Sequence, residues 1–274
     1  DRSTPALQRA GRIAAGSGAD LVVVHCIDDA LPQKYRERRM AEAREMLNEQ
    51  AAALGLRARI AVSDGDVFWE VHRIATEAHA RLIVAGDHRR SAIRDIFRDT
   101  TVERLIRVSA VPVLIARGTA DEPYRHAIVA VESAEGGELI DVLAAFGDAA
   151  PARATVLHAF DAPAAGLMYV AGVARERIEE YYAGVAYEAR KRLRGVAGEP
   201  PFPVEIEVVD AEPAMAIRDY AAREKCDLVA VSSHARRAVL RGILGSVSSE
   251  LVRHGTIDVL IAPRVVASAV EMAG

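Results

Sequence analysis

Two stretches of the chain hold the residue types that could bind an anion. Residues 86–101 read GDHRRSAIRDIFRDTT, and residues 232–248 read SSHARRAVLRGILGSVS. Glycines, small residues and hydroxyls in a loop that leads into a helix suit phosphate. Backbone N–H groups there point at the ligand, and the helix dipole favours negative charge. Glycine also lets the backbone approach the ligand with no Cβ between them. Arg89, Arg90, Arg94 and Arg98 in one stretch, and Arg236, Arg237 and Arg241 in the other, offer forked donors for phosphate. The same arginines read more simply as a solvated loop and helix face neutralised by Asp95 and Asp99. His88 and His234 hold the same place in both stretches, which suits a structural role in fixing the loop. A metal site would need further ligands that this spacing does not supply. Serines are present, but no base with a third orienting group accompanies them, so no catalytic residue is assigned.

The two stretches correspond because the chain is a repeat. Residues 81–116 reappear at 227–262 with a constant offset of 146 and no gap, setting Thr100 on Ser246 and Val113 on Val259. Upstream, VVVHCID (22–28) falls on TVLHAFD (155–161), with His25 on His158. A repeat of this length predicts two copies of one domain: residues 1–118, a linker at 119–126, and residues 127–274. Short runs rich in Val, Ile and Leu alternate with stretches of helical periodicity in each copy, which predicts an α/β fold with parallel sheets covered on both faces. Helices are expected near 4–16, 34–54, 67–79 and 99–109, and near 136–148, 167–195, 212–224 and 246–254. The long stretch at 161–195 carries Tyr169, Tyr181, Tyr182 and Tyr187, for which ordinary helix packing is expected. His25 and His158 end apolar strands and are expected to be hydrogen-bonded core residues. In the second copy AIVAVES (127–133) precedes the first helix, whereas the aligned helix of the first copy begins near Asp1. The first strand of that copy, and its terminal acidic residue, are therefore expected to be missing from the sequence.

Composition narrows the classes of partner. A formal net charge of −4 and a pI near 6.1 give no overall pull toward nucleic acid or an anionic membrane. No apolar run approaches the roughly 18–20 residues of a membrane span. Cys26 and Cys226 stand alone at non-equivalent positions, outside any CxxC pair, which suits a reducing cytoplasm.

These features together resemble the universal stress protein family, in which a strand is followed by Gly, two residues, Gly, nine residues, then Gly and Ser or Thr. The resemblance implies a tandem of two doubly wound, parallel, five-stranded sheets. It also implies adenine-nucleotide binding in some members, with an acidic residue after the first strand on the ribose and the Gly-Ser/Thr pair on phosphate. Carried onto this chain, the first copy keeps Gly86, His88 and Thr100, but Arg89 and Asp99 replace two glycines, and Cys26 takes the adenine-side position. The carboxylate of Asp99 at a phosphate site opposes binding there. The second copy keeps Gly245 and Ser246, with Ser248 nearby, Ser232 and Ala235 at the other two glycine positions, His234 in the loop, Glu132 at the ribose position and Ala159 at the adenine position. A non-glycine residue held in the left-handed region costs about 1–2 kcal/mol, which weakens such a site without abolishing it. Any ATP or related nucleotide is therefore expected in the second copy. The resemblance further implies that the last strands, 111–116 and 257–262, pair with each other inside one chain, and a homodimer of such chains is open. The function expected is a cytoplasmic, non-enzymatic stress-response module. The alternative is an ATP-binding protein with weak hydrolase or autophosphorylating activity. A nucleotide-dependent enzyme of the wider adenine-nucleotide α-hydrolase-like group would need an SGGxDS loop, which the chain lacks.

Overall fold

The computed structural model describes residues 4–86, 101–118, 120–133, 136–160, 162–196, 198–233 and 245–263. The first copy runs α1 (Thr4–Ser17), β1 (Leu21–Ile27), α2 (Gln33–Ala53), β2 (Ala58–Asp64), α3 (Val67–Glu77), β3 (Ile83–Gly86), α4 (Thr101–Val108) and β4 (Val113–Ala116). The second runs β5 (Ala127–Ala130), α5 (Gly137–Ala144), a 3-10 turn (Gly147–Ala149), β6 (Ala154–Phe160), α6 (Pro163–Val170), α7 (Arg175–Leu193), β7 (Val204–Asp210), α8 (Pro213–Glu224), β8 (Leu228–Ser232), α9 (Ser246–His254) and β9 (Asp258–Ala262). No helix among the described residues is long and apolar enough to cross a membrane.

Seven strands form one sheet in the order β3-β4-β9-β8-β5-β6-β7, and β1 and β2 form a separate parallel pair. The expected α/β fold of mostly parallel strands is present. The second copy supplies a complete parallel set, β7-β6-β5-β8-β9, whose order reverses between β5 and β8. Its β9 then pairs antiparallel with β4, with Leu114 opposite Leu260, so the sheet continues into the first copy. In the second copy β5 lies between β6 and β8, whereas no described strand lies between their counterparts β1 and β3. β1 and β3 are partly buried along most of their length, while the first four residues of β6 and of β8 are buried.

Alternation along the strands divides the core into two layers. Leu114, Val129, Val156, Leu228 and Leu260 face α5 and α7, meeting Leu139, Leu143 and Leu193. Ile115, Ile128, Leu157, Val229 and Val259 face the other way, meeting Leu105, Ile217 and Leu251 from α4, α8 and α9. The helical stretch expected at 167–195 is two helices. The chain turns at Gly172, where φ is 68° and glycine is the residue that bears it without strain. The helix expected over 136–148 stops at Ala144, and a 3-10 turn follows, with Gly147 at φ 60°. A Cβ on Gly147 would stand only 2.1 Å from the carbonyl oxygen of Gly16, so the end of α1 and this turn meet backbone to backbone.

The first copy, the linker and β9 meet at one buried carboxylate. Asp258 is 1% exposed. It accepts from the N–H of Arg117 (2.7 Å) and of Gly118 (2.8 Å), the hydroxyl of Tyr124 (2.7 Å) and Nε of Arg9 (3.2 Å). The Arg9 guanidinium also lies 4.0 Å from the Tyr124 ring centre and donates to the carbonyl of Glu122. Removing one partner from a buried ion pair strands the other charge, at a cost of about 3–5 kcal/mol. Asp258→Ala is therefore expected to lower the unfolding free energy by about that amount in guanidinium titrations.

A second buried polar cluster lies at the same, amino-terminal end of the second copy's strands, around the starts of β5, β6 and β8. His126 Nε2 is 2.8 Å from Thr155 Oγ1, Tyr220 donates to the same oxygen at 3.1 Å, and Cys226 Sγ is 3.4 Å from His126 Nδ1. Burial, with the nearby positive charge of Arg153, holds the His126 pKa below its usual 6.5. Burial pushes the Cys226 thiol up to about 12, which keeps it protonated. Because the folded state prefers neutral imidazole, this stabilisation is complete above the unfolded-state pKa of His126 and is lost as pH falls through the folded one. The stability advantage of the wild type over His126→Gln, measured by urea unfolding, is expected to narrow from pH 7.5 to pH 5.

Candidate functional site

In an open α/β sheet, ligands sit beyond the carboxyl ends of the strands where strand order reverses. Here that place is the crevice between β5 and β8, and a cavity of about 270 Å³ opens there. The end of β5 and its loop contribute Ala130, Val131, Glu132 and Ser133, and β6 contributes Leu157 and Ala159. The start of α8 brings Pro213 and Ile217, and the end of β8 brings Val231 and Ser232. Gly245 and the first turn of α9, Ser246 to Ser248, close the other side.

Local bonds hold this frame in place. His158, at the end of β6, has its Nδ1 3.0 Å from the carbonyl of Val131, tying β6 to the loop that carries Glu132. It is a strand-end hydrogen-bonding residue and does not line the cavity. Ser248 is buried and donates to the carbonyl of Ser232 at 3.0 Å, latching α9 onto β8. Gly245 donates to the Ser233 carbonyl at 3.3 Å, and Ser249 makes the first helical bond back to Gly245. The N–H groups of Ser246, Val247 and Ser248 therefore fall in the helix turn that has no intrahelical acceptor. Gly245, the residue before the helix, has no side chain to cap them.

Two other helices at this edge, α8 and α3, carry acidic caps, whereas α5, like α9, starts after a glycine with no side-chain cap. The Glu212 carboxylate accepts from the N–H groups of Ala214 (3.1 Å) and Met215 (2.8 Å) at the start of α8, and those bonds hold its pKa below the usual carboxylate range. At the equivalent place in the first copy, Asp66 accepts from Phe68 and Trp69 at the start of α3. Acidic caps thus neutralise α3 and α8, while α9 keeps an open, electropositive end beside the cavity.

The structure brings Glu132, Ala159, Ser232, Gly245, Ser246 and Ser248 around this one cavity. Glu132 and Ser246 are exposed at its mouth, whereas Ser248 is buried. His234 and Ala235 lie outside the described residues, as do His88, Arg89, Asp99 and Thr100 of the first copy. In that copy Gly86 ends β3, and Cys26 ends in contact with Ser63 at 3.6 Å, its thiol pKa raised chiefly by burial. The sequence reading missed the apolar lining, Val131, Leu157, Ile217 and Val231. Their signal was a strand or helix pattern indistinguishable from ordinary core. Among the described residues no cluster of three or more metal-binding side chains occurs.

Sequence and structure comparisons agree on one family. No curated protein matches the sequence. A universal stress protein from Archaeoglobus fulgidus DSM 4304 has a similar structure, with a TM-score of 0.65 over 96% of this chain and 95% of that one, at 18% identity. A protein of unknown function from Pseudomonas aeruginosa PAO1 is similar with a TM-score of 0.58 over 94% of this chain and 86% of its own, at 14% identity. The sequence profile of the universal stress protein family matches residues 1–117 and again 123–263. The chain belongs to the universal stress protein family and carries two of its domains in tandem.

Proposed function

We propose that this tandem universal stress protein is a non-enzymatic nucleotide-responsive module, with one adenine-nucleotide site per chain in the second copy. The observation that carries the reading is the uncapped first turn of α9 standing beside a small cavity at the strand-order switch. Phosphate oxygens placed over the N–H groups of Ser246, Val247 and Ser248 would find donors that have no intrahelical acceptor. Glu132, exposed at the mouth, is placed to accept from ribose hydroxyls. The cavity volume lies near the lower end for small-molecule sites. It suits a base and sugar inside, with the phosphates at the mouth. Leu157, Val131 and Ile217 would pack on the base, and the methyl of Ala159 leaves its edge free.

The lining also supports binding over catalysis. Glu132 is the one ionisable side chain among the described lining residues. Phosphoryl transfer needs a positioned nucleophile or base together with positive charge or metal at the transferred group. Ser248 already donates its hydroxyl to Ser232, and Ser246 has no base beside it among the described lining residues.

Calorimetric titration of the full chain with AMP and with ATP is expected to give saturable binding at one site per chain. No heat at millimolar nucleotide, with the protein folded, would remove the reading. ADP release on incubation with ATP should not exceed the no-protein background, and steady turnover abolished by Ser246→Ala would favour the enzymatic alternative instead.

Ser246→Asp separates the site from the fold. A carboxylate in the first turn of α9 favours the helix but repels phosphate. The variant is expected to keep its melting temperature while nucleotide affinity falls about tenfold or more, which corresponds to about 1.4 kcal/mol.

A further inference from the structure

The helical hairpin α6–α7 shows solvent a surface that the fold does not use. Leu167, Tyr169 and Val170 on α6 are 73%, 79% and 85% exposed, and Tyr187 on α7 is 61% exposed. Tyr169 and Tyr187 therefore do not take part in the ordinary helix packing that the sequence suggested. Large apolar side chains gathered on one exposed hairpin mark an interaction surface. Most of α7 is exposed. On it Glu176, Glu180, Ala183, Tyr187, Arg190 and Arg194 recur at alternating spacings of four and three, and all six are exposed. That spacing sets them in one stripe along the helix. The opposite side of α7 carries Ala189 and Leu193, buried in the core of the second copy.

The stripe is complementary to itself. Its first half carries Glu176, Glu179 and Glu180 against two arginines, and its second half carries Arg190, Lys191, Arg192 and Arg194 against Glu188 alone. Arg190, Lys191 and Arg194 make no ion pair among the described residues. Set antiparallel against a copy of itself, the helix brings Glu180 to the partner's Arg190, Glu176 to the partner's Arg194 and Ala183 to the partner's Tyr187. Each contact then occurs twice, as a two-fold interface requires. Gly184 lies beside Ala183, and a Cβ built on it would meet nothing within 4 Å. A mid-helix glycine costs about 1 kcal/mol relative to alanine, and nothing in this chain closes on it. In the pair it gives room for the partner's Tyr187 ring.

The sheet edge on this side offers no competing route. β7 ends the seven-stranded sheet and reads VEIEVVD, with Glu205, Glu207 and Asp210 along it. A second copy added there would oppose carboxylates to carboxylates, which disfavours edge pairing.

We propose that α7, with α6 beside it, is the face through which two copies of this chain associate as an antiparallel two-fold helix pair. Sedimentation velocity of the full chain between about 1 and 200 µM, the range suited to an interface at the small end of the specific class, tests it. The wild type is expected to show a reversible monomer–dimer equilibrium. Glu180→Arg, which sets Arg against the partner's Arg190 at both ends, should weaken the dimer about tenfold or more. The double variant Glu180→Arg, Arg190→Glu should restore it. Both positions are exposed, so melting temperatures should stay at the wild-type value. A chain that stays monomeric throughout would assign the face to some other protein and overturn the proposal. A dimer indifferent to Glu180→Arg, or one that the double variant fails to restore, would place the interface elsewhere and overturn it equally.

Discussion

The Asp258 carboxylate decides how the two copies sit together. A buried ion is costly to desolvate, by several kcal/mol, unless its lone pairs are met. Here four donors from three separate places meet them: Arg9 of α1, the first two residues after β4, and Tyr124 of the linker. Loss of any donor leaves part of the charge unsatisfied, so α1, the linker and β9 have one favourable arrangement. The Arg117 side chain reinforces it from the other direction by donating to the carbonyls of Leu251 and Ile257. The repeat does not share this device. The residue of the first copy that aligns with Asp258 is Pro112, so a symmetric pairing of the last strands acquires an asymmetric lock.

That lock has a consequence for the site. With β4 held against β9, the second copy's β9, β8, β5 and β6 lie inside a seven-stranded sheet that its own β7 ends, and the first four residues of β6, β8 and β9 are buried. Strand order reverses between β5 and β8 within this sheet, and strand ends wall the crevice there. In the first copy β1 pairs only with β2, and β3 only with β4. The sequence located the difference between the copies in their loops, at Arg89 and Asp99.

What could be read from sequence was whatever the repeat or the local pattern encodes. The strands were visible as Val- and Ile-rich runs, and Gly245-Ser246 stood out because it keeps the closing Gly-Ser/Thr pair of the motif that the chain shares with the family. Three things were not visible. The break between α6 and α7 falls at Ala171-Gly172-Val173, where helical periodicity continues on both sides and one glycine in the left-handed region decides the turn. The lock at Asp258 joins residues 134 to 249 positions apart, and no local pattern announces it. The acidic caps Asp66 and Glu212 were missed because a capping carboxylate and a surface carboxylate look alike until the first-turn N–H groups are seen to point at them.

Those caps give the open end of α9 its meaning. Helices that begin at one edge of a sheet all present positive dipole ends to the same side. The fold neutralises α3 and α8 with its own carboxylates, at equivalent places in the repeat, and leaves α2, α5, α6 and α9 without a side-chain cap. At α9 the equivalent position is glycine, the groups below it form a cavity, and the nearest anchoring bonds run to backbone carbonyls and leave the turn free. Had α9 needed only stability, an aspartate or serine in place of Gly245 would have supplied it locally. A glycine there gives up that cap and keeps the approach to the first turn open, which is the arrangement an external anion requires.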